Sequence, residues 1–273
     1  MAGRNDGSAP RQGAFHLYWR LVAISIRAQA QYPGSLLLLS AGHLVVTLLE
    51  FLGVWALFDR FRLVRGWSLA EVALFYGLVN LSFALAEAVG RGFDAFDRLV
   101  RTGEFDVVLL RPRSEVLLIC GQELRLSRAG RFAQGLIILG WGMSSLGLAG
   151  RPEVWMRLAW AVAGGTALFC GLFVLQATIA FWTVNSLEVV NTVTYGGVET
   201  AQFPIDIYPS AVRAFFTWVV PLASLNYLPL RGLLRGGDPG WVGWAAPLAG
   251  FLFLAVSLRL WRFGVRHYTS TGS

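Results

Sequence analysis

Six stretches of this 273-residue chain stay apolar for close to the thickness of a bilayer core, at about residues 35–58, 69–88, 132–149, 158–183, 214–233 and 241–260. A helix needs about 20 such residues to cross the hydrocarbon. Inside lipid every backbone polar group must find a partner within the protein. No soluble stretch between the runs is long enough to bury a core of its own. With 55% hydrophobic and only 14% charged residues, the expected fold class is an all-α polytopic membrane protein with six transmembrane helices. Residues 34–266 are read as one transmembrane domain. Residues 1–33 are read as a polar tail and a helix lying in the headgroup region, and 267–273 as a second tail. In that first helix Phe15, Trp19, Val22, Ile26 and Ala30 can share a face, with Arg20 and Arg27 on another. The arrangement of a cleaved signal peptide is not present there.

Residues 91–115, RGFDAFDRLVRTGEFDVVLLRPRSE, are the long segment that cannot sit in lipid. Phe93, Phe96, Leu99 and Val100 fall at helical spacing on one face, and Arg91, Asp94, Asp97, Arg98 and Arg101 on the other. Asp94 precedes Arg98 by four residues and Asp97 precedes Arg101 by four, the favourable order for helix ion pairs. Gly103 stands where a left-handed residue would end the helix, and Pro112 pushes Arg111 out of helical geometry. On composition this is either a solvated loop or a short amphipathic helix followed by a bend.

The string Arg101-Thr102-Gly103-Glu104-Phe105-Asp106-Val107-Val108-Leu109-Leu110-Arg111-Pro112 resembles the signature R-x-G-x-[FL]-D-x-x-L-L-R-P of a family of ATP-binding-cassette type-2 transporter permeases. Gly66-Trp67 before the second run, Tyr208-Pro209, Pro221 and Asn226-Tyr227-Leu228-Pro229 resemble the same family. The resemblance covers about residues 60–230. It implies a six-span exporter subunit whose segment between spans two and three is a cytoplasmic coupling helix against an ATPase subunit. On that implication Phe93, Phe96 and Leu99 are expected as apolar plugs for an ATPase groove, with Asp97, Arg98 and Arg101 as rim contacts. Gly103, Asp106, Arg111 and Pro112 are expected to hold the bend. The implied partners are ABC ATPase subunits, which bind the ATP and Mg, and a second permease copy or a paralogue.

Ionisable residues at membrane depth default to a functional question. His43 and Glu50, seven apart in the first run, share a face; they are either a polar site or structural pairs with neighbouring helices. Gln122, Arg125, Arg128 and Arg131 recur every three residues. These arginines either snorkel or face a wet cavity, or they touch an anionic substrate or headgroup. Gly140/Ser144 offers small-residue packing in the third helix, Ala161/Gly165 and Gly164/Leu168 allow one close approach in the fourth, and Trp67 suits an aromatic belt. Pro221 should kink the fifth span, while 185–212 is too polar for lipid as a whole.

All 23 basic residues are arginine, giving a formal charge of +7. With six spans, sixteen of them fall on the side of the termini and of 91–115, against seven opposite. The positive-inside rule then places both termini in the cytoplasm of a cell-membrane protein. The basic balance reads as loops facing anionic lipid rather than nucleic acid. Without lysine there is no G-x-x-x-x-G-K-[ST] phosphate loop. His16, His43 and His267 are far apart in sequence, so no zinc spacing arises. Cys120 and Cys170 read as small core residues. The expected function is the permease half of an ATP-driven exporter, with no catalytic residue and no cofactor of its own. An intramembrane lipid-modifying enzyme and a non-catalytic scaffold are the alternatives.

Overall fold

A computed structural model describes residues 14–122, 126–183, 187–236 and 239–269. The long elements are α1 (Ala14–Ala30), α2 (Pro33–Phe61) and α3 (Leu69–Asp94). Two short helices follow, α4 (Phe96–Arg101) and α5 (Glu104–Leu109), then α6 (Glu115–Gln122), α7 (Ala129–Ser145), α8 (Pro152–Ile179) and α9 (Leu187–Ala201). The chain ends with α10 (Ser210–Ala214), α11 (Tyr227–Leu234), α12 (Val242–Ala245) and α13 (Leu248–His267). Among the described residues there is no strand, only a Val64–Trp67 bridge in the turn before α3.

Four helices are long and apolar enough to cross a membrane: Pro33–Phe61, Leu69–Arg101 (taking α3 and α4 together), Pro152–Ile179 and Val242–His267. The expected fifth span, 214–233, is not one helix. After α10 the chain makes a π turn at Phe215–Val219, leaves helical geometry at Val220 and Pro221, and re-forms as a 3-10 turn and α11. Proline here breaks the helix outright rather than kinking it, because its missing N–H follows a wider π turn whose i→i+5 bonding has already left the regular ladder. The polar stretch before it, read as too polar to span, instead contains α9. Thr194, Val198 and Ala201 of α9 are buried, while Thr192, Tyr195 and Glu199 are exposed on the opposite face.

α3 is the axis of the bundle. Ser68 and Glu71 close a reciprocal capping box at its start, and nearly every residue from Val72 to Phe83 is buried. α7 packs along one side of it and α8 along another, and α13 lies against α8. The close approaches use glycine, at Gly164 of the expected fourth-span spacing and not at Gly140. A Cβ on Gly140 would meet open space, whereas one on Gly250 of α13 would lie 2.0 Å from the Gly164 carbonyl oxygen of α8. α2 is the loosest member, with Leu38, Val45, Leu49 and Leu52 turned outward.

Trp67 does not sit in an outward aromatic belt. It is 3% exposed, its Nε1 donates to Asp206 at 3.1 Å, and Arg235 stacks over its ring at 4.2 Å. Tyr227 Oη donates to the same carboxylate at 3.4 Å. This ties the turn before α3 to the broken segment, because the indole N–H finds a half-buried acid there instead of interfacial water.

Candidate functional site

The 91–115 segment lies at the end of the bundle where α8 and α13 also finish. α3 continues without interruption to Asp94 before Ala95 ends it, so the amphipathic stretch begins inside the long helix. Gly103, with φ of 70°, separates α4 from α5 in left-handed geometry that glycine adopts without strain. Arg111 and Pro112 lie in the exposed bend beyond α5.

Phe93, Phe96 and Leu99 are 2%, 0% and 4% exposed, so they are not plugs held out to a partner. They fill this chain's own groove. Phe96 meets Phe105 and Trp261 edge-on, each at 4.9 Å, and Phe93 meets Trp261 at 5.0 Å. Phe181, just past α8, packs on Phe96 at 5.2 Å. Tyr268 meets Phe105 edge-on at 5.1 Å; burial and the adjacent Asp106 carboxylate raise its hydroxyl above the ordinary tyrosine pKa. Sequence periodicity marks an apolar face and leaves open which surface covers it.

The outward face is a different set. Arg98 and Arg101 are exposed, and Asp97, partly exposed, pairs with Arg101 as its spacing predicts. Beyond them Val107 and Leu110 are 54% and 84% exposed, with Arg111 and Arg113 alongside. These two apolar side chains were not singled out from sequence. For Leu110 the signal was its place as the second leucine ahead of Arg-Pro, where the helix has ended and cannot bury it; Val107 had none.

A second group lies just inside. Glu87 is fully buried and meets Arg128 Nη2 at 2.9 Å, with Arg91 and Arg131 each at 3.9 Å. Asp94 pairs with Arg91 and receives Gln176 Nε2 at 3.4 Å and Tyr195 Oη at 3.4 Å. Arg131 also lies over the Phe83 ring at 5.2 Å. Arg128 and Arg131 of the arginine stripe thus turn inward to Glu87 of α3. Arg125 lies outside the described residues. The node joins α3, α7, α8 and α9.

The third group is on α2. Glu50 is exposed and His43 half-buried. Tyr76 Oη donates to the Thr47 carbonyl at 3.1 Å and lies 3.5 Å from Glu50 Oε2; Gln134 Nε2 donates to the same carbonyl at 3.3 Å. Glu199 of α9 is close enough to Glu50 and Arg131 to act on both electrostatically. Among the described residues no group of three acids, cysteines or histidines could hold a metal.

The family model described as "ABC-2 family transporter protein" matches residues 44–272, most of the chain. The chain belongs to the ABC-2 transporter family. No curated protein and no solved structure matches it. ABC-2 permeases are transport subunits of the membrane, generally without an ATPase motif of their own, and they work with ABC ATPase subunits. Within this ABC-2 chain the match takes in most of α2, all of α3 to α13, and the three groups above apart from His43.

Proposed function

We propose that this chain is the membrane-spanning permease subunit of an ATP-driven exporter, receiving its work from separate ATPase subunits at the outward face of residues 91–115. The observation that carries this reading is the two-sidedness of that segment. One side is locked by Phe93, Phe96 and Phe105 into the ends of α8 and α13. The other offers Val107 and Leu110 within a rim of Arg98, Arg101, Arg111 and Arg113. A lysine-free chain has no P-loop lysine, so the energy comes from a partner, which holds the ATP and Mg.

A push on this face moves the aromatic cluster as a rigid body and carries α8 and α13 with it. Through Asp94 the same displacement reaches Arg91, Gln176 and Tyr195, and so α9. Six crossings fit if α9 takes the fifth place. Its 15 residues rise about 22 Å, and the broken segment after it dips back from the outer side. Both termini then stay in the cytoplasm of a cell membrane, and a second copy or a paralogue completes the pathway.

Tagged chain purified with its ATPase tests this. Wild type should bring down the ATPase and raise its turnover, while Leu110→Asp combined with Arg111→Glu should lose both without loss of membrane insertion. Retained co-purification and stimulation in that double variant would remove the proposal.

A further inference from the structure

A cavity of about 420 Å³ opens where α1 turns into α2, within the range that holds small ligands. Gln29 and Tyr32 of the turn, Ser35, Leu36 and Leu39 of α2, and Ser127 line it, and none of its walls is acidic. The 29-residue α2 begins here without a side-chain cap: Tyr32 stands at the N-cap position and Pro33 follows. The N–H groups of Gly34 and Ser35 therefore have no intrahelical acceptor, and the helix dipole adds partial positive charge at the same point. A Cβ on Gly34 would meet nothing within 4 Å, so the backbone there is open to a ligand. Ser127 is a second, independent sign. It is 8% exposed, it lines the same cavity, and its hydroxyl makes no hydrogen bond among the described residues. Gln29 Oε1 accepts the Leu126 N–H at 2.9 Å, which holds the short turn carrying Ser127 against α1. Pro33 opens a helix of membrane-spanning length, which puts the cavity at the edge of the apolar layer.

We infer that this cavity holds the phosphate of a membrane phospholipid, with the acyl chains lying along Leu36 and Leu39. A phosphate offers several oxygens at once to the Gly34 and Ser35 N–H groups and to the hydroxyls of Ser35 and Ser127. Without such an acceptor the buried Ser127 hydroxyl is left unsatisfied, which is costly. The occupant is a lipid rather than a soluble phosphate because the polar floor passes into apolar wall within about one helical turn, from Ser35 to Leu39. The site lies apart from the 91–115 face and uses no ATP, so it goes beyond the export reading and does not depend on it.

Phosphatidic acid and diacylglycerol with identical fluorescent chains differ by the phosphate alone, which makes them the probes. Binding is measured by fluorescence anisotropy on the purified full chain in a non-ionic detergent, with empty micelles as the blank. Phosphatidic acid should bind saturably and at least about tenfold more tightly than diacylglycerol. Ser35→Asp puts a carboxylate in the first turn of α2, where it favours the helix and repels phosphate. It should remove the preference while the thermal midpoint stays the same or rises. Ser127→Ala should weaken phosphatidic acid about tenfold and leave diacylglycerol unchanged. Equal binding of the two lipids, or a preference that survives both variants, overturns the inference; the lipid comparison on wild type decides even where a variant does not fold. Glycerol 3-phosphate, the same headgroup without chains, separates the two sources of phosphate. Competition only at concentrations about a hundredfold above the lipid's supports the lipid, and competition at equal concentration overturns it.

Discussion

Glu87 shows how one side chain can organise its surroundings. A carboxylate with essentially no solvent contact is tolerated because three arginines approach it from two helices. Removing one member of such a set leaves uncompensated buried charge, which costs about 3–5 kcal/mol. Glu87→Ala should therefore lower the thermal midpoint in detergent sharply, and Arg128→Ala should do much the same. Asp97→Ala removes only a surface pair with Arg101, worth about 0–1 kcal/mol, and should leave the midpoint close to wild type. Similar midpoints for Glu87→Ala and Asp97→Ala would contradict the burial argument.

Among elements, α4 and α5 carry opposite duties on opposite faces. Phe96→Ala opens a void among Phe105, Phe181 and Trp261 and should cost about 3–5 kcal/mol. Leu110→Ala, at an 84% exposed position, should change stability by no more than about 0.5 kcal/mol while weakening ATPase capture. Gly92→Ala places a Cβ 1.9 Å from the Ile119 carbonyl oxygen, so α3 and α6 must part; a fall in folded yield is expected by size-exclusion chromatography. The helical membrane class, the bend at Gly103 and the Asp97–Arg101 pair were legible in the sequence, since each follows from local spacing. The inward turn of Phe93 and Phe96 was not, because amphipathicity does not say whether the covering surface belongs to the same chain. α9 was missed because Thr192, Tyr195 and Glu199 dilute its apolarity, although Thr194, Val198 and Ala201 keep a helical interval. Pro221 announced a distortion without its size, which the neighbouring π turn decides.

At the scale of the whole molecule, a well-packed block of α3, α7, α8 and α13 stands beside a loose α2. In this account the 91–115 end of that block faces the cytoplasm, and the clamp of Trp67, Asp206 and Arg235 faces outward. With Cys120 and Cys170 replaced by serine, a cysteine at Arg235 should react with a membrane-impermeant maleimide in intact cells. One at Arg111 should react only after permeabilisation, and the reverse pattern would invert the orientation. Whether an ATPase docks on this face is tested most directly by a photo-crosslinking residue at position 110 in native membranes. An adduct with a nucleotide-hydrolysing subunit is expected at position 110 and none from the buried position 96; no ATPase adduct at 110, or one formed equally from 96, would place the ATPase elsewhere.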